Sequence, residues 1–373
     1  MNYDCLVIGL GGMGSSVLYH LARRGLHVCG LEQFGPVHDR GSSHGKFRVF
    51  RKAYYEHPDY VPLLQAAEQH WRDLEAESGA SLFHRIGVVL SGPVDGDVIA
   101  GTLRAASQHG LPVEQFDPVE ARLRWPMLRF PEHHSVVLDV DAGILAVEDC
   151  VAQYLNRAHE LGAEACFFEP VRHVEVHPDF VTVATDQATR TAASVVVAGG
   201  AWSASLLVKR VPPLQILHKL QLWHSVDAAH LPVFADLPAF FFDTVQGAFY
   251  GMPSGPAEVK LARHTAGSPI ANPSEPGDGA IIQERGPCLQ FAREYMCGIA
   301  REPVRSSSCM YTMSPDGHFL VDRAADSPRM VFAAGFSGHG FKFASVIGEA
   351  LADLATAGRT ELPIAFLSTD RFQ

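Results

Sequence analysis

The sequence predicts a mixed α/β fold, α+β overall, in which a parallel-sheet domain is split along the chain by an inserted mixed-sheet domain. Three observations carry this. Apolar runs too short for helices recur at Cys5-Leu6-Val7-Ile8, Val195-Val196-Val197-Ala198 and Met330-Val331-Phe332-Ala333, in the style of strands buried on both faces. Glycine closes each of them, at Gly9, Gly199 and Gly335. Between about 214 and 310 the texture changes to frequent Pro, Gly, His and aromatic residues, with short strands. A chain of 373 residues is long for one core. The expected division is 1–85, 145–213 and 315–373 for the first domain, and 86–144 with 214–314 for the second.

In chain order, Cys5–Ile8 is the first strand. Ser15 to Arg24 is a helix closed by Gly25, and Leu26 to Leu31 is a second strand ending on Glu32. Residues 34–47 are a Gly/Ser/His-rich loop. Leu63, Leu64, Ala67, Trp71 and Leu74 then mark an amphipathic helix from Tyr60 to Glu77. Strands are expected near 86–91 and 136–140, and helices near 95–109 and 148–161. Val171 to Val183 alternates as a hairpin does. Residues 266–279 read as a Pro/Gly/Ser-rich loop, and 343–357 as the last helix. There are no internal repeats.

The apolar fraction of 47% is that of a globular protein. A net charge of −11 argues against nucleic acid or an anionic membrane as partner. Seven cysteines without a C-x-x-C pair fit reduced thiols better than a disulfide framework or a zinc site. No basic stretch precedes an apolar one at Met1-Asn2-Tyr3-Asp4, and no apolar run nears the roughly 18 residues of a membrane span. The expectation is a soluble cytoplasmic protein that binds no metal.

Gly9, Gly11 and Gly14, with Gly12 and Met13 between them, fit G-x-G-x-x-G. The first glycine permits the turn, the second lets backbone approach a pyrophosphate, and the third lets the helix pack on the strand. The helix N-terminus offers free N–H groups to phosphate. Glu32 lies about 20 residues on, where a carboxylate can accept from a ribose diol. A dinucleotide is the expected ligand, and this element alone does not separate FAD from NAD.

The segments downstream of Glu32 separate the two cofactors. Gly41-Ser42-Ser43-His44-Gly45 with Arg48 and Arg51, Tyr60-Val61-Pro62-Leu63 and Gly200-Ala201-Trp202 come first. Tyr250-Gly251-Met252-Pro253-Ser254, the Lys260/His264 pair, Cys309-Met310-Tyr311-Thr312 and Gly335 to Phe343 come after them. Spread in order over nearly the whole chain, these segments resemble the FAD-dependent amine oxidases of the monomeric sarcosine oxidase and N-methyl-L-tryptophan oxidase family, in the D-amino-acid-oxidase superfamily. The final Arg371-Phe372-Gln373 resembles the second branch. The resemblance implies a Rossmann-like FAD-binding domain with an inserted substrate domain, as in D-amino-acid oxidase. It also implies a monomer whose partners are a small amino-acid substrate and O2.

By this resemblance Cys309 joins FAD covalently through sulfur at the 8α-methyl of the ring. Lys260 supplies a fixed cation for O2 reduction. Arg51 and Lys342 clamp the substrate carboxylate, and Arg48 faces the flavin. If residues 48–51 are extended, the two arginines leave on opposite faces. Gly338, His339, Gly340 and Lys342 meet the pyrimidine end of the flavin, Val171 contacts adenine through backbone, and Ser42, Ser43 and His44 also touch the cofactor. Tyr250 and His264 line the active site and share catalytic roles with Arg48, and Tyr250 also binds substrate. Two departures stand out: Ser43 where these relatives have histidine, and Lys46-Phe47 where they have Asp-Thr. The second is expected to put a basic, bulky pair beside the flavin. Residues 240–250 and 265–280 are expected to line or cover the pocket.

The activity implied is oxidation of a secondary amino acid, N-methyl or cyclic, to an imine, with hydrolysis and release of H2O2. Alternatives of the same fold are an FAD-dependent amino-acid dehydrogenase and a fructosyl-amino-acid or pipecolate oxidase. A flavin-binding module without activity has only the Lys46-Phe47 change in its favour.

Overall fold

The computed structural model describes residues 2–207, 210–275 and 278–372, with side chains from 283 onward in the last stretch. Met1, residues 208–209, residues 276–277 of the expected 266–279 loop, and Gln373 lie outside the described residues. All seven cysteines are free thiols, and no helix among the described residues is long and apolar enough to cross a membrane.

Strand Tyr3–Ile8 runs inside an eight-stranded sheet, parallel to Thr189–Val197 on one side and to Val28–Leu31 on the other, with Glu164–Cys166 beyond. The far edge of Thr189–Val197 is shared. The hairpin of Val171–Val176 and Val181–Thr185 covers its first half, and Met330–Ala334 lies parallel along its second half. The three apolar runs are therefore adjacent strands. Their two-residue alternation splits the core. Cys5, Val7, Val196 and Val331 pack under helices Gly12–Arg23, Tyr60–Ser78, Val147–Glu160 and Ala344–Thr356, while Leu6, Ile8, Val195, Val197 and Phe332 form a separate cluster on the opposite face. Each such side chain contributes roughly 1.5–3 kcal/mol of burial before ordering costs.

A nine-stranded sheet draws all its strands from residues 88–139 and 215–313. Its longest strands are Gln215–Ser225 and Arg305–Met313, eleven and nine residues. They are longer than the texture of that region suggests. Lys219 pairs with Cys309, Gln221 with Ala262, Trp223 with Lys260, and Ala262 with Tyr250. Directly paired residues share a face, so Cys309, Lys219, Gln221, Lys260 and Tyr250 all belong to one side of this sheet. The other side packs Phe240, Phe242 and Phe249 against Phe291 of helix Asp278–Tyr295. A small three-stranded sheet of Phe47–Phe50, Gly143–Ala146 and Phe83–His84 carries the first arginine.

Expected boundaries shift by small amounts: the first helix is Gly12–Arg23, the second strand Val28–Leu31, and the expected 86–91 strand Val88–Pro93. Helix Asp278–Tyr295 is not among the expected elements, and a short strand, Ser268–Ile270, lies in the predicted loop. Gly286 and Pro287 inside the helix break the pattern, yet Glu284, Cys288, Phe291 and Ala292 are buried at helical spacing.

The glycine turn is closed by contact. A Cβ at Gly14 would lie 1.7 Å from Gly9 O, and one at Gly9, whose φ is +86°, would lie 2.6 Å from Ala198 O. Gly14→Ala is expected to destabilise by more than the about 1–3 kcal/mol usual for overpacking. Gly286→Ala, whose Cβ would meet nothing within 4 Å, is expected to be neutral or stabilising by up to about 1 kcal/mol. Urea unfolding of the two variants measures the contrast.

Candidate active site

One cavity of about 390 Å³ is lined from both large sheets. At one end Gly9, Gly11, Gly12 and Met13 meet it where helix Gly12–Arg23 begins. That helix has no side-chain cap. The Gly12 N–H donates to Ser43 Oγ at 3.0 Å, and the positive end of the helix dipole faces the space. Glu32 Oε2 accepts from Leu10 N at 2.8 Å, and Oε1 accepts from Phe34 N at 3.1 Å with His38 Nε2 at 3.4 Å. Burial opposes its charge, but His38 and the two backbone donors outweigh burial and hold the carboxyl below its usual range. Val171 lines the same end, with Trp202 of the Gly200-Ala201-Trp202 segment and with Glu169, which carries no signal of its own in the sequence.

Toward the other end, Ser42 Oγ donates to Met310 O at 2.7 Å and ties the 41–43 loop to the Arg305–Met313 strand. Cys309 lines the cavity from that strand and is 4% exposed. Tyr250, Phe241, Tyr311 and His264 form an aromatic wall, with His264 Nδ1 3.5 Å from the Tyr311 hydroxyl. Burial lowers the His264 pKa to about 4, so the ring is neutral. Gly338, His339 and Gly340 complete this end. A Cβ at Gly338, whose φ is +82°, would lie 2.2 Å from the Tyr311 ring. His339 Nδ1 accepts from the Tyr54 hydroxyl at 2.6 Å, while Nε2 donates to Gly317 O at 3.1 Å. That assigns the tautomer by its partners, and burial keeps the ring neutral with a pKa of about 3.

Arg48 and Arg51 both line this cavity, contrary to the opposite faces expected of an extended stretch. The strand stops at Phe50, so alternation no longer governs Arg51. Arg48 donates to Phe47 O at 3.1 Å and to Ser42 O at 3.0 Å. Arg51 is buried between the rings of Tyr54 and Tyr55, its Cζ 4.3 and 4.2 Å from their centroids. One of its amino groups donates to Glu56 Oε1 at 2.5 Å. Its Nη1 and Glu56 Oε2 are buried without hydrogen-bond partners. Burial works against both charges, but mutual attraction outweighs it, so Glu56 falls to about 2 and Arg51 moves up. Lys342 Nζ donates to His339 O at 2.8 Å, and burial together with repulsion from Arg51 lowers it to about 7. The unpartnered guanidinium nitrogen and the adjacent lysine fit a carboxylate.

Three expected residues lie outside the lining. Gly14 acts through its packing on Gly9. His44 is buried beside the cavity, and Lys260 is fully buried behind the 45–47 loop, donating to Gly45 O at 2.7 Å and Phe47 O at 3.0 Å. The expectation that Lys46 and Phe47 crowd the cavity is overturned: neither lines it. Lys46, at φ +72°, turns its ammonium to Ser254 O at 2.5 Å, and Phe47 packs edge-on against His84. Phe241 and Tyr250 line the cavity as expected of 240–250, but no described residue of 265–280 does.

Residues 4–354 match the FAD dependent oxidoreductase family. The chain belongs to that family. Its members at high coverage include monomeric sarcosine oxidases: the protein from Bacillus sp. (strain NS-129) is 36% identical over 99% of this chain and 97% of that protein. The N-methyl-L-tryptophan oxidase of Yersinia pestis (strain Pestoides F) is 33% identical over the whole of both. Among solved structures, NikD, described as an unusual amino acid oxidase essential for nikkomycin biosynthesis, superposes with a TM-score of 0.87 at 24% identity, covering 98% of this chain and 97% of that one. The glycine oxidase of Geobacillus kaustophilus gives 0.82 at 19%, covering 98% of each. The fold is therefore that of the D-amino-acid-oxidase flavoproteins, and this FAD-dependent oxidoreductase has a cavity whose glycine turn, Glu32 and Gly338–Gly340 edge suit a dinucleotide carrying a ring system.

Lys342 gives the site a pH dependence. Its folded pKa is depressed to about 7, so its charge is present below that value and lost above it. Arg51 and Glu56 stay ionised, and His264 and His339 stay neutral, across pH 6–9. Acetate, an amine-free carboxylate, is expected to bind the holoenzyme more weakly as pH rises through about 7. Lys342→Met is expected to bind it weakly with no such slope. Titration of the flavin absorbance with acetate at several pH values reads both.

Proposed function

We propose that this protein is an FAD-dependent oxidase of secondary, N-methyl or cyclic, amino acids, acting as a monomer. What supports the reading most is a single observation: one cavity joins the glycine turn to Cys309 and to the buried Arg51–Lys342 pair. The names of the relatives support it independently.

Gly9 to Met13 and the helix N-terminus hold the pyrophosphate, Glu32 the ribose, and Val171 lies along the adenine. Cys309 would hold the ring covalently through sulfur, and Gly338 to Gly340 would meet its pyrimidine edge. A flavin bound there would supply the two-electron acceptor for a hydride from the carbon on nitrogen, with O2 as the final acceptor giving H2O2. Arg51 and Lys342 fix the substrate carboxylate, which leaves the amine to the aromatic wall of Tyr250, Tyr311 and His264. Such positioning supplies several kcal/mol of the barrier, about 7–11 at most. Among the described residues the only carboxylates lining the cavity, Glu32 and Glu169, stand at the glycine-turn end, and Glu56, which does not line it, is held by Arg51. The wall therefore favours the uncharged amine that can release a hydride. Water hydrolyses the imine, giving formaldehyde and a primary amino acid from an N-methyl substrate. Lys260 contributes a buried positive charge toward O2 reduction.

The domain division belongs to the same proposal, with 1–85, 145–213 and 315–373 binding FAD and 86–144 with 214–314 facing substrate. The separation of the two large sheets supports it.

Two measurements test the reading. Oxygen uptake with matching H2O2 is expected from at least one N-methyl or cyclic secondary amino acid, and a complete panel without uptake contradicts it. Acid precipitation of the wild type is expected to leave yellow flavin in the pellet, on the peptide carrying Cys309. Cys309→Ser is expected to release all its flavin to the supernatant. A colourless wild-type pellet refutes the covalent bond while leaving the FAD site standing.

A further inference from the structure

Behind the cavity wall lies a group of polar side chains whose burial the oxidase chemistry does not by itself explain. Gln221 is 0% exposed, yet neither its Oε1 nor its Nε2 has a hydrogen-bond partner. His44, 3% exposed, has an unpartnered Nε2. Lys260, 0% exposed, has two carbonyl acceptors for three N–H groups and, among the described residues, no carboxylate within ion-pair distance. These side chains are neighbours. A Cβ built at Gly45 would lie 2.2 Å from Gln221 Oε1 and 3.2 Å from Lys260 Nζ, so the amide oxygen and the ammonium converge on one point of the loop. Arg48 and Lys260 both repel positive charge on His44, whose pKa burial lowers to about 4. An amide buried with both ends unpaired is costly, and a leucine of similar size would carry no such cost. The group also adjoins the cavity: Phe47 O accepts from Lys260 and from Arg48, which lines the cavity.

We propose that Gln221 is a positioning residue for Lys260: with His44 it binds ordered water in a closed polar chamber behind the 45–47 loop, supplies the acceptor that the third N–H of Lys260 needs, and so keeps that cation charged and fixed for the oxygen half of the reaction. The inference rests on the oxidase reading. In that half-reaction two electrons and one proton leave the anionic reduced flavin, a second proton comes from solvent, and O2 becomes H2O2. A fixed cation stabilises the negative charge that O2 acquires on the way. An acceptor oxygen at Gln221 favours the charged form of Lys260, against burial and the repulsion of Arg48. The other charged and titratable groups facing Lys260 are Glu148 from helix Val147–Glu160, Arg305 from the strand beyond Gln215–Ser225, and His44 from the loop; Cys309 of that same strand faces it too, and as a thioether carries no charge.

The test uses holoenzyme whose flavin is reduced photochemically without substrate, then mixed with O2 over a range of pH. Gln221→Leu is expected to slow reoxidation by about ten- to hundredfold, the loss of one hydrogen bond to a charged group. It is also expected to move the fall in rate with rising pH to lower pH, because Lys260 then loses its proton more easily. Gln221→Glu, which keeps an acceptor oxygen, is expected to preserve the rate. Anaerobic reduction by substrate is expected to be unchanged in both variants. A crystal structure of the wild-type holoenzyme is expected to place a water within hydrogen-bond distance of the Gln221 amide and Lys260 Nζ. Fast reoxidation in Gln221→Leu with an unshifted pH profile overturns the inference alone, as does equal loss in the Leu and Glu variants or a dry chamber. Wild-type enzyme that reacts with O2 no faster than free reduced flavin overturns the oxidase reading and the inference with it.

Discussion

The short segment from Gly45 to Phe47 is held by opposite charges from its two sides, and the rest of the site hangs on it. Glu148 accepts the N–H groups of Gly45 and Lys46 at 2.6 and 3.0 Å, while Lys260 donates to the carbonyls of Gly45 and Phe47. Glu148 belongs to a helix packed under the parallel sheet, and Lys260 to the nine-stranded sheet. The segment is therefore a clasp between the two sheets, made of charge-assisted hydrogen bonds worth about 1.5–3 kcal/mol each. Because the clasp fixes where the Phe47–Phe50 strand begins, it also fixes Arg48 at the cavity wall and Arg51 one residue past the strand's end. A buried lysine is an expensive way to hold a loop. The use proposed for it in the oxygen reaction would give a reason for keeping it.

The remaining walls are set by how closely backbone can approach backbone or ring. Gly9 against Ala198 and Gly14 against Gly9 draw the helix onto two parallel strands, so its N-terminus opens into the cavity. At the far end Gly338 lets its turn press on Tyr311. Between the two, the Ser42 bond to Met310 O carries the loop across to the strand of Cys309. The substrate end adds charge to shape. Arg51 is half-satisfied by Glu56, and Lys342 rests at the edge of its titration, so this end is short of negative charge and suits the carboxylate proposed to bind there.

Much of this is legible in the sequence, wherever the signal is local. The parallel strands show as apolar runs and the glycine turn as a spacing. The segments around Ser42, Tyr250, Cys309 and Gly338 stand on one cavity, as their resemblance to a family implies. The expectations that fail depend on strand ends and on register. Arg48 and Arg51 are expected to part, but the strand ends between them. Lys46 and Phe47 are expected beside the flavin, but a positive φ at Lys46 turns the chain away. Glu56, Tyr54 and Gln221 carry no local mark, since nothing in their own neighbourhoods distinguishes them. Their meaning comes from Arg51, His339 and Lys260, which are brought to them by the fold.

The central claim is that a carboxylate held by Arg51 and Lys342 presents the neighbouring C–N bond for oxidation in the same cavity. The most direct measurement compares, under anaerobic conditions, how fast the holoenzyme's flavin is bleached by an N-methyl amino acid and by its methyl ester. The acid is expected to bleach it rapidly and the ester slower by about a hundredfold or more, the effect of losing a charge-paired anchor. Equal rates for acid and ester, or bleaching by neither when dithionite bleaches fully, would contradict it.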